Sequence, residues 1–233
     1  MIKTEKLKKS FGSTLAVDID DLSIKDNEIL GLAGNNGAGK TTFLRLMLDL
    51  IKPDTGKVLS KGIPVYQSDH WKKYTGSYID QNFLIDFLTP TEYFEFIGFL
   101  SGVDKKELKA RLKKFDSFSR GELGYPGKYI RELSEGNKQK TGIVGAMISN
   151  PEVLILDEPF NSLDPSSQIS LKNILSEYRQ ETNSTIIISS HNLQHISEIC
   201  TRIVVMEKGK IIMDLPGNED NIRKIEFYFK AQI

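Results

Sequence analysis

Residues 34–42 read GNNGAGKTT, which fits the pattern G-x-x-x-x-G-K-[ST]. The apolar run EILGLA precedes it, and Leu44, Leu48 and Ile51 follow at helical spacing. In a strand–loop–helix unit of this kind the glycines let backbone N–H groups wrap an anion, and the helix N-terminus adds a favourable dipole. Gly34, Asn35, Asn36, Gly37, Ala38 and Gly39 would form the cradle. Lys40 is placed to bridge the β- and γ-phosphates, the Thr41 hydroxyl to ligate Mg²⁺, and Thr42 to reach the α-phosphate. The pattern specifies a nucleotide and says nothing of its purpose.

VLILDE at 153–158 supplies a second part. Asp157, ending a buried strand, can hold the Mg²⁺ shell through water. Glu158 beside it can orient or deprotonate an attacking water. By themselves these acids also suit a solvated strand end; the phosphate loop is what favours chemistry. His191 follows the apolar run TIIISS, at the edge where open α/β sheets bind ligands, and can meet the γ-phosphate or position the water. A metal pair formed with His195 has no third ligand apart from Glu198. His70 has no such context and reads as a surface residue.

LSEGNKQK at 133–140 stands before Ile143, Val144, Met147 and Ile148, the apolar face of a helix. Ser134 is a good N-cap, so the helix start offers a hydroxyl, the Gly136 N–H and a positive dipole end. That is a second anion-binding feature in a chain with one phosphate loop. If the two cannot meet within a chain, a second copy can bring them together.

The elements that must position these groups follow from periodicity. Residues 1–24 predict a β-hairpin with alternating Leu15, Val17 and Ile19 after the FGST turn. The helix after the phosphate loop is expected to run through Ile51 until KPDTG stops it. Residues 57–80 read as short strands and turns. TEYFEFIGFLSG is helical, as is 104–115, where Asp104 and Glu107 suggest a capping box and the Lys/Arg face reads as solvated surface. VLIL and TIIIS are continuous buried strands of the parallel type. Asp164-Pro165 opens a helix carrying Ile174, Leu175 and Tyr178, and residues 200–213 close with a hairpin-like pair.

The 233 residues balance 31 Lys+Arg against 31 Asp+Glu, so no global field favours nucleic acid, and none is expected as a partner. Hydrophobic content of 39% with 27% charged residues describes a globular protein. Lone Cys200 fits a reducing compartment, and no apolar segment follows the basic start. No apolar run approaches the ~20 residues of a membrane span. A cytoplasmic chain is expected, with any membrane role arriving through a partner.

The ordered set GNNGAGKTT, Gln81, LSEGN, VLILDEP, SLD and His191 resembles the ATPase subunit of ABC transporters over nearly the whole chain. The resemblance implies an α/β fold: a P-loop NTPase (RecA-like) core with an N-terminal antiparallel β subdomain (1–82 and 151–233) and an inserted α-helical subdomain (83–150) carrying the signature motif. It implies ATP and Mg²⁺ as cofactors and a head-to-tail dimer, expected to be a homodimer, in which Ser134 and Gly136 of one subunit cap the ATP of the other. Gln81 would sense Mg²⁺ and water, contribute to catalysis with Glu158 and His191, and couple to a separately encoded membrane permease. Phe11 stands where the family places an adenine-stacking aromatic, the reading preferred here over a hairpin core Phe. Asp164 matches the loop crossing the dimer interface and is also an ideal N-cap.

Two departures stand out. LSEGN replaces the family's common LSGGQ, leaving Asn137 for a longer side chain, and Asn35 replaces a frequent Pro. The chain ends soon after the final hairpin, so no appended regulatory domain is expected. The stretch LTPTEYFEFIGFLSGVDKKELKARL resembles subunits of bacterial drug, antibiotic or peptide exporters, which would place the chain peripherally on the cytoplasmic face of the membrane. The alternative is a soluble ABC ATPase of the iron–sulfur-assembly type. A small-molecule kinase would leave LSEGN unexplained.

Overall fold

The computed structural model describes residues 2–121, 123 and 127–231. Strands β1 (Ile2–Phe11) and β2 (Thr14–Ile24) form the expected antiparallel hairpin. A register shift between Lys9 and Ser10 breaks its alternation. Val17 and Ile19 are therefore buried while Leu15, beyond the bulge, is exposed. Strand β4 (Thr55–Ser60) pairs antiparallel with β1, and the short β5 (Ile63–Pro64) closes that sheet in the order β2-β1-β4-β5.

The second sheet runs β10-β9-β3-β8-β7-β6, formed by β3 (Ile29–Ala33), β6 (Thr75–Tyr78), β7 (Val153–Leu156), β8 (Thr185–Ser190), β9 (Arg202–Glu207) and β10 (Lys210–Pro216). All its pairings are parallel except β9 with β10. Every residue of β3, β7 and β8 is buried, because both faces of the sheet are covered. The period-2 alternation divides them between two cores. Ala33, Leu154, Leu156, Ile186 and Ile188 face one core. Leu30, Leu32, Ile155, Ile187 and Val204 face the other, where the antiparallel sheet and α1 (Lys40–Met47) cover them.

Helix α1 ends four residues before the expected Ile51. Asp49 adopts a left-handed φ of 51°, its N–H reaches Leu46 O at 3.2 Å, and the Leu50 N–H reaches Arg45 O at 2.9 Å. These are the paired bonds of a Schellman stop, made here without glycine. Leu48 and Ile51 still pack on the core from outside the helix.

Between β6 and β7, which are hydrogen-bonded neighbours, the chain makes α2 (Pro90–Leu100), α3 (Lys105–Lys113), α4 (Asp116–Ser119) and α5 (Glu135–Met147). Thr89 and Glu92 form a full capping box on α2. At α3 only half of the expected box exists: Asp104 caps Lys106 and Glu107, but the Glu107 carboxylate turns to Arg111. After β7 come α6 (Pro165–Thr182), α7 (Leu193–Ser197) and, beyond the last hairpin, α8 (Glu219–Lys230). Helix α8 was not expected; Asn218 caps it and Ile225 anchors it in the core.

Candidate functional site

Adjacent parallel strands deliver the chemistry to one edge. The phosphate loop leaves the carboxyl end of β3, His191 that of β8, Asp157 and Glu158 that of β7, and Gln81 follows β6. The sharp turn into α1 depends on Gly39, at a left-handed φ of 103°, where a Cβ would lie 2.2 Å from Ala16 O. That close approach seats the loop on β2. The Gly209 N–H adds a 2.9 Å bond to Ala38 O, tying the loop to the β9–β10 turn.

Lys40 is only 6% exposed, and its ammonium donates to Gly34 O at 2.7 Å while lying 3.4 Å from Glu158 Oε1. Asn35, Asn36 and Gly37 are exposed on the loop's outer side. The Thr41 hydroxyl donates to Asp157 Oδ2 at 2.6 Å, and the Ser189 hydroxyl donates to the other oxygen of that carboxylate. Asp157 is 6% exposed; burial pushes its carboxyl above the usual range, opposed by the two hydroxyl donors. Thr42 is half-buried beside them.

Glu158 holds a left-handed backbone, φ 46°, unusual for a residue with a side chain. Its N–H donates to Ser189 Oγ at 2.8 Å, and its Oε2 lies 2.9 Å from His191 Nδ1 and 3.3 Å from the His191 N–H. Against a carboxylate the imidazole carries a proton on Nδ1, and the other ring nitrogen, Nε2, belongs to an exposed side chain. Phosphate loop, Asp157, Glu158 and His191 thus form one connected set. Ser189, fully buried between the two carboxylate residues, was not singled out from sequence. The available signal was a hydroxyl at the end of an otherwise apolar strand.

The other candidates lie around this set. Phe11 is 54% exposed and so does not belong to the hairpin core; the Lys9 ammonium lies 5.5 Å from its ring. The Gln81 amide donates to the Glu135 carboxylate at the start of α5, and among the described residues it makes no hydrogen bond to Thr41 or Asp157. Ser134 caps α5, accepting the Asn137 N–H at 3.3 Å, and is itself exposed. Gly136 abuts the loop after Glu158, where a Cβ would sit 2.7 Å from Ser162 O. Among the described residues, no hydrogen bond or ion pair links Ser134 or Gly136 to residues 34–42 of the same chain. Asp164 fulfils its N-cap expectation, accepting the Ser166 and Ser167 N–H groups at 3.1 Å each, with Arg120 at 3.7 Å. His195 packs against Phe160 at 4.7 Å between ring centroids, and His70 is exposed.

Thr41 and Asp157 present hard oxygen donors side by side, one of them a buried carboxylate, and so fit Mg²⁺. No helix among the described residues is long and apolar enough to cross a membrane.

Residues 17–161 match the family model described as ABC transporter. The bacitracin transport ATP-binding protein BcrA of Bacillus licheniformis is 31% identical across 100% of this chain and 76% of its own. The methionine import ATP-binding protein MetN of Carboxydothermus hydrogenoformans is 33% identical over 84% of this chain and 60% of its own. Among solved structures, the dimeric post-hydrolysis state of the cassette MJ0796 bound to ADP and Pi superposes with a TM-score of 0.82 at 22% identity. That superposition covers 94% of this chain and 99% of that one.

Proposed function

Because this chain belongs to the family of ABC transporter ATP-binding subunits, and is an ATPase, we propose that it works as a head-to-tail homodimer. ATP lies on the phosphate loop of one subunit beneath the Ser134 start of α5 from the other. The observation that carries this reading is the placement of two phosphate-binding features: a buried, mutually bonded set at the sheet edge, and an exposed helix start not bonded to it.

Within a subunit, backbone N–H groups of residues 34–39 and the Lys40 ammonium hold the phosphates, and Phe11 offers its exposed ring to the base. Thr41 and Asp157, joined by Gln81 when its amide leaves Glu135, would hold Mg²⁺, which when bound neutralises charge on the β- and γ-phosphates. Glu158 orients and accepts a proton from the attacking water. His191, fixed through Nδ1, directs Nε2 to the γ-phosphate. Asp164 stands at the subunit boundary while capping α6.

Residues 1–82 and 151–233 serve as the core and 83–150 as an inserted helical subdomain. Between them a groove of about 680 Å³, lined by Thr75, Gly76, Tyr93, Ile97 and Leu100, would receive a short helix of a separate membrane permease. Phe99, 79% exposed, lies at the end of the same helix α2. The subunit would then sit on the cytoplasmic face of the membrane. The match to the bacitracin transport protein BcrA along the whole chain supports a drug- or peptide-like cargo, and the aromatic sequence of α2 is the ground for reading the direction as export.

The test is ATP-dependent association of purified Glu158→Gln, followed by size exclusion with light scattering. A dimer formed only with ATP, and lost on adding Ser134→Arg, is expected. A monomer that binds ATP both alone and with its permease present would overturn the dimer reading.

A further inference from the structure

Gln139, one turn into α5, touches the loop that carries Glu158. Its Nε2 donates to Glu158 O at 3.1 Å, and its Oε1 accepts from the Tyr78 hydroxyl at 3.1 Å. The second bond fixes the first: an oxygen committed to a phenol O–H leaves only the NH₂ group to face the Glu158 carbonyl. Tyr78 is buried at the end of β6, and its ring lies against Gly142, where a Cβ would fall 2.0 Å from Tyr78 Cε2. The amide is therefore aimed by a buried side chain packed against the same helix.

The carbonyl it grips belongs to a residue in a left-handed conformation, φ 46°, which persists only where the surroundings over-determine it. Ser189 holds the Glu158 N–H, His191 and Lys40 hold its carboxylate, and its C=O accepts both the Gln139 amide and, at 3.1 Å, the Asn161 N–H of the turn that follows. Of these five only Gln139 comes from α5, and only it ties the carbonyl to a distant element. The same helix begins at Ser134.

We propose that Gln139 is a positioning residue, which locks the backbone of Glu158 and so ties water activation in one ATP site to the helix that closes over the other. This rests on the reading of Glu158 as the base. When α5 shifts to meet the partner's nucleotide, the amide carries the Glu158 carbonyl with it. A closed helix then corresponds to an aligned carboxylate, and a displaced helix to a misaligned one. Gln139 needs no contact with ATP for this.

The experiment compares steady-state ATP hydrolysis, equilibrium ATP binding and thermal unfolding for full-length wild type, Gln139→Glu, Gln139→Ala, Tyr78→Phe and Glu158→Gln. Gln139→Glu keeps the length and the acceptor for Tyr78 but turns an oxygen toward the Glu158 carbonyl. It and Gln139→Ala should lose turnover by roughly 10- to 100-fold, the scale of a small misplacement of a reacting group. ATP affinity and melting temperature should stay at wild-type values. Tyr78→Phe should lose less, and combined with Gln139→Ala it should add nothing, since both act on one bond chain. Wild-type turnover in Gln139→Glu beside an inactive Glu158→Gln overturns the positioning role alone. Loss of turnover only together with ATP affinity and melting temperature makes Gln139 a packing residue and also overturns it. Wild-type turnover in Glu158→Gln overturns both readings.

Discussion

The carboxyl edge of the parallel sheet and the start of α5 both present groups suited to phosphate, and they are built in opposite ways. At the sheet edge each polar side chain has partners: Thr41 and Ser189 on Asp157, His191 and Lys40 on Glu158, with Lys40 and Asp157 almost wholly buried. Low exposure strengthens these bonds and fixes the rotamers, so this half of the site is organised before nucleotide arrives. At the start of α5, Ser134 and Glu135 are exposed. On the proposed reading such a surface awaits a group that comes from outside the chain. One half holds its geometry by burial, the other by the helix behind it.

The largest expected effect breaks the first half. Glu158→Gln should cut turnover by ~10²- to 10⁴-fold, the usual worth of a placed general base, while ATP binding persists. Single-turnover hydrolysis beside a binding titration checks it; comparable loss in both would mean that Glu158 serves binding.

A smaller effect sharpens the part played by α5. An added methyl at a helical glycine ordinarily gains about 1 kcal/mol from propensity. At Gly142 that methyl would fall 2.0 Å from the buried Tyr78 ring, and overpacking of this kind costs about 1–3 kcal/mol. The clash should win, so Gly142→Ala lowers the urea midpoint. A raised midpoint would show that α5 and β6 are less tightly apposed than the structure has them.

The smallest effect concerns Asp164. The Ser166 hydroxyl first, then Ser167, hold its carboxyl well below the ordinary value of 3.8. A lowered folded-state value stabilises the protein above the unfolded value, and that contribution is lost as pH falls through the folded one. Asn retains the cap without the charge. The stability gap between wild type and Asp164→Asn should be present near neutrality and shrink in acid below 3.8, measured as urea midpoints. Because Asp164 is exposed, the gap should be slight. A gap that grows in acid would contradict the assignment.

What the sequence made legible was local. The Gly-rich loop, the all-apolar strands and the Ser134 and Asp164 caps announce themselves within a few residues, and the structure has them where they were read. The end of α1 did not, because Asp49 performs a turn for which glycine is the usual signal. Helix α8 was passed over because its core anchor, Ile225, stands among charged residues. Ser189, Tyr78 and Gln139 escaped for another reason. The contacts of Ser189 with Asp157, Tyr78 with Gln139 and Gln139 with Glu158 span 32, 61 and 19 residues, and no short-range pattern encodes them. Gln81 was read through the resemblance as a residue that senses Mg²⁺ and water; its engagement with Glu135 depends on how α5 packs, which no local pattern encodes.

The central claim is that each site takes its second half from another chain, and complementation by mixing tests it most directly. Ser134→Arg and Glu158→Gln are purified separately, each inactive, then combined and assayed for ATP hydrolysis. In a mixed dimer the Ser134→Arg chain keeps an intact sheet edge and meets the intact α5 of the Glu158→Gln chain, so one complete site is restored. The account predicts turnover in the mixture that neither variant has alone. If both variants exchange subunits and the mixture stays inactive, Ser134 and Glu158 serve the same chain's nucleotide and the head-to-tail arrangement is wrong.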